Sequence, residues 1–188
     1  MKGFTIIELL VVLGITAMLS AIALGYTGVA QNQITLSVES AKIAETILRA
    51  KNLAIATYST APGICGYGVS IDVPDNEYSI FAYDPAGGGP CPSVASTTLT
   101  GLSTANEQPY SQSTWKVRPG TGVRLVQGNG DGLGAVLFYP PAPATLLSLT
   151  GDAFLPPGSA VPLNVHLSTV DGSASTTITV SPAGQVTF

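Results

Sequence analysis

Charged side chains are scarce in this sequence. Only 10% of its 188 residues are charged, against about a quarter in an ordinary globular domain. Acids outnumber bases by eleven to seven, which gives a formal net charge of −4. A surface that binds nucleic acid needs a concentrated basic stripe. We therefore expect no nucleic-acid partner, because the only candidates for a small basic patch are Lys116, Arg118 and Arg124.

Histidine and cysteine, which supply many metal ligands and nucleophiles, are nearly absent. The one histidine, His166, lies between Val165 and Leu167 in a strand-like segment, where we expect a structural role. The sequence also has no G-x-S-x-G elbow and no phosphate-binding loop. It therefore predicts a protein that is not an enzyme and that holds no cofactor and no metal.

The two cysteines, Cys65 and Cys91, do not have the spacing of a metal site, which needs about four ligands in short pairs. In an exported protein such a pair predicts a disulfide. Closing a loop of this size contributes about 3–4 kcal/mol by the chain-entropy estimate. Two unpaired buried thiols are the alternative.

Proline is absent before Pro62, and charge is absent from Leu9 to Val38. An uncharged run of this length exceeds the 20 or so residues that a transmembrane helix needs. The pattern predicts one helix from Phe4 to about Tyr58, ended by Pro62 and Gly63.

The second half of this predicted helix is amphipathic, with polar residues alternating with an apolar stripe. We expect the stripe to pack against the rest of the protein. Its residues are Ile34, Val38, Ala41, Ala44 or Glu45, and Leu48, widened by Ile43, Ile47 and Ala54.

After Gly63 the sequence predicts only strands and turns. The stretch 85–113 is dense in Gly, Pro, Ser and Thr and is expected to be a surface feature. The segment Gly128–Gly132 has two residues typical of a calcium loop, Asn129 and Asp131, but a tight hairpin turn explains it better. Four acids, Asp72, Asp75, Glu77 and Asp84, are expected on a solvated surface. The predicted strands are Gly66–Asp72, Glu77–Asp84, Thr114–Arg118, Val123–Gln127, Gly134–Tyr139, Val161–Thr169, Ser175–Ser181 and Gln185–Phe188.

The carboxylate of Glu8 lies inside a run of Ile, Leu and Val that is typical of a membrane segment, so its presence needs an explanation. A secretory signal peptide cut after Ala21-Ile22-Ala23 does not provide one, because its apolar core is uninterrupted. A plain membrane anchor does not either, because a carboxylate at the centre of a bilayer costs about 2.5–3.5 kcal/mol.

The string Gly3-Phe4-Thr5-Ile6-Ile7-Glu8 closely resembles the class III leader of the type IV pilin-like family. In that pattern a short basic leader ends in Gly and is followed by Phe, with Glu at the fifth position after the cut. Gly3, Phe4 and Glu8 match each position. The resemblance implies that a prepilin peptidase cuts between Gly3 and Phe4 and methylates the new amine of Phe4.

The spacing gives Glu8 a physical role in assembly and registration. The freed amine of Phe4 is cationic, and a residue four positions along a helix lies one turn away on the same face. When subunits stack, the amine of one can meet Glu8 of its neighbour, and a buried charge with a partner is tolerated where a lone one is not. The alternative is a protonated Glu8 that serves only in recognition by the peptidase.

The segment 176–186 resembles, more loosely, the carboxy terminus of the GspH/FimT-type minor pseudopilins. The expected fold is α+β, with a long transmembrane and amphipathic helix followed by a β-rich head of antiparallel sheets. The expected divisions are a leader (1–3), a transmembrane or filament-core helix (4–30), an amphipathic half (31–60) and the head (61–188).

These resemblances imply a minor subunit of a type II secretion or type IV pilus filament. Its expected partners are other pilin or pseudopilin subunits, the prepilin peptidase, an inner-membrane assembly platform and the membrane. The chain is expected to span the bacterial inner membrane once with a periplasmic head, and then to join a periplasmic or cell-surface filament. Alternatives are a major pilin, a membrane-anchored adhesin that binds a ligand through residues 85–113, and an exported domain released after Ala23.

Overall fold

The computed structural model describes residues 5–57, 63–84, 91, 107–109, 116–140, 144–149, 154–155 and 161–188. It begins with a single helix, α1 (Ile6–Thr57), of 52 residues. At 1.5 Å per residue this helix is about 78 Å long. The prediction of one long helix followed by a β-rich head is therefore confirmed, with helix ends within two residues of the expected ones.

The described part of the head contains ten strands in two antiparallel sheets. The first sheet has the order β3-β2-β1-β6-β7, and β4 also pairs with β2. The second sheet has the order β10-β9-β8-β5. The strands are β1 (Gly66–Asp72), β2 (Glu77–Tyr83), β3 (Glu107–Pro109), β4 (Lys116–Val117), β5 (Val123–Val126), β6 (Leu133–Tyr139), β7 (Ala144–Leu149), β8 (Leu163–Thr169), β9 (Ser175–Val180) and β10 (Val186–Thr187).

One core lies between α1 and the two sheets. The helix contributes Ile43, Ile47 and Ala50, which are fully buried, and the first sheet contributes the equally buried Val69 and Val136. A second cluster lies on the other face of the first sheet, so β6 is buried on both faces. Its buried members are Cys65, Phe81, Tyr83, Ala135, Leu137, Tyr139, Leu146 and Phe154.

The turn between β1 and β2 connects the two sheets through one side chain. Asn76 adopts a left-handed conformation with φ of +52°, which asparagine tolerates better than most residues. Its Oδ1 accepts a hydrogen bond from the Leu125 backbone N–H at 2.7 Å. Because β5 is the last strand of the second sheet, Asn76 occupies part of an edge that would otherwise present free backbone groups.

The predicted apolar stripe on the helix was partly wrong. Ile34, Val38 and Leu48 are 64%, 48% and 48% exposed, and Ala41 is exposed as well. The helix carries two apolar stripes with the same three-to-four spacing, and spacing alone cannot tell which one faces the head. The face that packs on the head contains Leu36, Ile43, Ala44, Ile47, Ala50 and Ala54.

The predicted hairpin at Gly128–Gly132 was also wrong. The strands on either side, β5 and β6, belong to different sheets, so this segment is a crossover. Its geometry is held by Asp131, whose Oδ2 accepts a hydrogen bond from Asn164 Nδ2 at 2.6 Å and whose backbone carbonyl accepts one from the Asn164 N–H at 2.8 Å.

The sequence predicted that all four acidic turn residues lie on a solvated surface, and for Glu77 this prediction was wrong. Glu77 is only 8% exposed. Its carboxylate accepts a hydrogen bond from Lys116 Nζ, and Arg118 Nε lies 3.9 Å from it. Two of the three basic-patch candidates are therefore engaged by Glu77, and Arg124 is exposed on β5. The carboxylates of Asp72, Asp75 and Glu77 lie within 4.8 Å of one another, and the Asp75 N–H donates to Asp72 Oδ1 at 3.1 Å.

Strand β7 was not predicted, and neither was β3. The stretch 85–113 lies outside the described residues, except for Cys91 and β3. The other strands begin and end within about two residues of their predicted bounds.

Candidate assembly site on the amino-terminal helix

The helix begins with a threonine and a glutamate that contact each other. Thr5 precedes the first helical residue, and both its N–H and its hydroxyl lie 3.5 Å from Glu8 Oε2. The Thr5 carbonyl accepts the N–H of Glu8 at 3.1 Å. This is the glutamate half of a Thr-x-x-Glu capping box, in which the glutamate lies near a free N–H at the helix start. The negative charge also lies at the positive end of the helix dipole.

Gly3 and Phe4, the predicted cleavage and methylation positions, lie outside the described residues. The structure thus places one of the three leader residues, Glu8, and adds Thr5, which the sequence analysis did not single out. The spacing of a Thr three residues before a Glu, directly ahead of an apolar run, is the signal that identifies such a cap.

The first part of α1 makes no packing contact with the head. The window Ile6–Ala23 is long and apolar enough to cross a membrane, judged by length and composition, and none of it is buried. Its hydroxyls are satisfied within the helix: Thr16 Oγ1 donates to the Leu13 carbonyl at 3.0 Å and Ser20 Oγ to the Thr16 carbonyl at 2.8 Å. Since lipid offers no hydrogen-bonding partner, this segment suits a membrane or a bundle of helices.

Among the helix side chains that the structure describes, Asn32 is the first that hydrogen-bonds to the head. Its Nδ2 donates to Asp171 Oδ2 at 3.2 Å and to Ser173 Oγ at 2.9 Å, in the turn between β8 and β9. Hydrogen bonds from the side chains of Thr169, Ser173 and Asn32 and from the Ser173 N–H lower the pKa of Asp171 to about 2. The Asp171 side chain in this turn is therefore a charged carboxylate where it accepts the hydrogen bond from Asn32.

Further along, polar side chains of the helix lie near residues of the first sheet. Tyr78 of β2 is 1% exposed, and its burial, together with the nearby charge of Glu39, raises its pKa to about 12. Glu39 is itself 4% exposed and pairs with Lys42 at 2.7 Å. Near the helix end, Lys51 Nζ lies 3.4 Å from the Gly184 carbonyl and 5.9 Å from the centre of the Phe138 ring.

Cys65 and Cys91 are joined by a disulfide, with their Cα atoms 5.4 Å apart. Cys65 is buried directly before β1, and its N–H donates to the Tyr83 carbonyl at 2.8 Å. The bridge therefore fixes residue 91 beside the open end of the β1–β2 hairpin.

His166 lies on the outer face of the second sheet with both ring nitrogens near a partner. Nε2 is 3.2 Å from Asp131 Oδ1, and Nδ1 is 3.3 Å from Thr177 Oγ1. Hydrogen bonds from Asn164 and His166 hold the pKa of Asp131 below its usual value. These contacts link β8 to β9 and to the crossover.

One comparison with known proteins agrees with the leader pattern. Residues 1–24 match the family model of the prokaryotic N-terminal methylation motif. No curated protein matches the chain significantly. Among solved structures the chain is similar to the minor pseudopilin EpsH from the type 2 secretion system of Vibrio cholerae, with 15% identity and a TM-score of 0.45, over 81% of this chain and 94% of that one.

The motif match confirms the prepilin-type leader that the sequence analysis identified from Gly3, Phe4 and Glu8. Together with the exposed apolar helix, it indicates a membrane-anchored protein. Cleavage, methylation and the role of Glu8 remain predictions.

Proposed function

We propose that this type IV pilin-like chain is a minor, pseudopilin-like subunit of a bacterial type II secretion or type IV pilus filament. The observation that carries the proposal is the methylation motif at residues 1–24, which overlaps the beginning of a helix whose segment Ile6–Ala23 is not buried by the head. Such a helix requires lipid before assembly and other helices after it, because an exposed apolar surface of this length is not stable in water.

Processing prepares the helix end for assembly. The proposed cut between Gly3 and Phe4 leaves a cationic amine one residue before Thr5, and Phe4 is then N-methylated. In the single subunit, the Glu8 carboxylate is near the Thr5 N–H and hydroxyl. In the filament, the Phe4 amine of a neighbouring subunit replaces the Thr5 groups as the partner of Glu8. This pairing favours a correctly placed subunit over a misplaced one.

The assignment to a minor subunit rests on two further points. The segment 176–186 resembles the carboxy terminus of GspH/FimT-type minor pseudopilins. Among the described residues, every element that follows the helix is a strand. On this proposal the head is periplasmic while the helix spans the inner membrane. The chain acts by assembly with other pilin-like subunits and an inner-membrane platform, and it performs no catalysis.

Mass spectrometry of the protein purified from its own membranes tests the proposal. The expected amino terminus is Phe4 carrying one added methyl group, and a Gly3→Asp variant, which blocks the cut, is expected to keep Met1. An amino terminus at Leu24 would instead identify an exported domain. Met1 retained in the unaltered protein would identify a plain anchor, and either result would overturn the proposal.

A further inference from the structure

Strand β9 is paired along only part of one of its two edges. On one side, β8 pairs with every residue from Ser175 to Val180. On the other side, β10 pairs only with Thr179 and Val180. Within the described residues, no strand lies along this second side over the first three residues of β9. We call this stretch, from Ser175 to Thr177, the open edge, and both of its end residues are exposed.

The hydrogen bonds of the sheet show which backbone groups face the open edge. The Thr169 N–H donates to the Ala174 carbonyl at 3.0 Å, so Ala174 points its backbone groups toward β8. Because these groups alternate between the two sides of an antiparallel strand, those of Ser175 and Thr177 point away from β8. Their N–H and C=O groups have no partner among the described residues.

Two other sheet edges are partly occupied by the chain itself. On β5, the Leu125 N–H donates to Asn76 Oδ1 at 2.7 Å. On β7, the Leu147 carbonyl accepts the Leu155 N–H at 2.7 Å. Free N–H and C=O groups on an exposed edge form a template for a further strand. The open edge of β9 therefore offers backbone groups with which an extended peptide can pair.

A groove beside the open edge determines which side chains such a peptide can carry. It has a volume of about 440 Å³ and lies between Gln33, Leu36 and Ser37 of the helix and Ala174 and Thr176 of the sheet. None of the described residues that line it is charged. A charged side chain that entered the groove would lose water without gaining a counter-charge, which is unfavourable. The groove therefore selects uncharged side chains.

A second copy of this chain cannot use its own open edge as the partner. Antiparallel pairing of Ser175 in one copy with Thr177 in the other brings Ser173 opposite Thr179. Thr179 is already paired there with Thr187 of β10. Parallel pairing is blocked as well, because both β10 strands would lie between the two β9 strands. The opening therefore suits a short extended segment that leaves the edge again after about three residues.

We infer that the open edge of β9 accepts an extended, uncharged segment of another polypeptide, which adds a strand in line with β10. The backbone groups of Ser175 and Thr177 supply the hydrogen bonds, and the groove beside Leu36 receives the side chains that face inward. The inference goes beyond the proposed function. It concerns the head alone and holds whether or not the mature chain begins at Phe4.

Amide hydrogen exchange of the full-length chain in lipid nanodiscs tests the inference with a defined probe. The probe is a six-residue peptide of alternating threonine and valine with blocked ends and one lysine added at each end, used up to its solubility limit. We expect the Ser175 and Thr177 amides to exchange rapidly in the chain alone and to slow about tenfold or more with the peptide. The same peptide with N-methylated backbone amides cannot pair and should have no effect.

A pair of variants separates backbone pairing from side-chain contact. Ser175→Pro removes an N–H that faces the open edge and leaves the bonds to β8 intact, because proline is tolerated at the first residue of a strand. It should reduce the slowing at Thr177 by about three- to tenfold, the effect of one lost hydrogen bond. Ser175→Ala keeps the N–H and should behave as the unaltered chain does. Equal melting temperatures of the two variants show that folding is intact.

The native partner is tested with the chain extracted from its own membranes in mild detergent. The Ser175 and Thr177 amides should exchange more slowly there than in nanodiscs, and Ser175→Pro should reverse the difference. Equal exchange in the two preparations would overturn the inference. So would an effect of the N-methylated peptide equal to that of the probe, no slowing by the probe, or slowing that grows with the number of chains in each nanodisc.

Discussion

Asn32 on the helix donates a hydrogen bond to Asp171, 139 residues later in the chain, at a distance of 3.2 Å. Counted from the amino terminus, it is the first hydrogen bond to the head from a helix side chain that the structure describes. Within the described residues, the side chains of Ile6–Ala23 on the membrane side of Asn32 are unburied. Beyond Asn32, one face of the helix belongs to the core of the head.

Acid is expected to release this junction only at very low pH. Hydrogen bonds from Thr169, Ser173 and Asn32 favour the charged form of Asp171 and lower its pKa to about 2. Because the pKa of Asp171 is lowered, its contribution to stability is complete above pH 3.8, the ordinary pKa of an aspartate, and is lost as the pH falls through about 2. We expect the side-chain amide signal of Asn32 in NMR spectra to shift with a midpoint near that value. Asp171→Asn abolishes the transition, and a midpoint close to 4 in the unaltered protein contradicts the prediction.

Alkali is expected to destabilise the head through Tyr78. Burial and the charge of Glu39 raise its pKa to about 12 from 10.0, so the neutral phenol is favoured in the folded state. The stabilisation of the folded state by the neutral Tyr78 phenol is complete below pH 10. It is lost as the pH rises toward 12, by up to about 2–3 kcal/mol. Denaturant midpoints measured from pH 9 to 12 should fall more steeply in the unaltered protein than in Tyr78→Phe. Equal slopes would show that Tyr78 is not the group responsible.

Two neighbouring helix residues should separate folding from assembly. Ile47 is fully buried against the head, and Leu48 is 48% exposed on a face of the helix that the head does not cover. Ile47→Ala removes core packing and should lower the free energy of unfolding by about 2–5 kcal/mol. Leu48→Ala should change it by less than about 0.5 kcal/mol while reducing recovery of the subunit in filaments. Similar losses of stability in the two variants would argue against the assignment of the two faces.

The disulfide predicts a clear result with thiol reagents. Without reductant, neither Cys65 nor Cys91 should react with an alkylating agent, and after reduction of the unfolded protein both should. Loss of the bridge in a double Cys→Ser variant should lower the free energy of unfolding by about 3–4 kcal/mol, because the loop is no longer closed in the unfolded chain. Two reactive thiols in the untreated protein would refute the bridge.

Glu8 should be required for assembly through its charge. Glu8→Ala should insert into the membrane normally and fail to enter filaments. Glu8→Gln retains a side chain that caps the helix as glutamate does, so it isolates the charge and should fail as well. The measurement is the fraction of each variant recovered with sheared or extracted filaments. Normal recovery of Glu8→Gln would indicate that capping, rather than pairing with an amine, is what Glu8 provides.

Much of the fold follows from local sequence signals. The apolar run without proline predicted α1, and the alternation around Val69 and Ile71 predicted β1 with the bounds that the structure has. Strand β7 was missed because it follows the prolines at 140, 141 and 143, which mark a loop in a sequence even where a strand begins directly after them.

The remaining errors concern which elements meet across the chain. Gly128–Gly132 has the composition of a turn, but that composition does not specify that β5 pairs with β8 rather than with β6. Glu77 has the sequence context of a surface residue, and only the fold brings Lys116 to it. At the candidate site, the leader residues were recognisable from their spacing, whereas Asn32 gains its role from Asp171, which no local pattern connects to it.

The helix α1 continues without a break from the apolar anchor to the end of its packing on the head. A continuous helix transmits rotation, so the direction in which the head faces is set by the number of residues between the anchor and Asn32. One residue inserted there would turn the anchor by about 100° relative to the head and lengthen the connection by about 1.5 Å. Such an insertion would leave both halves intact while changing the direction in which Glu8 faces relative to the head.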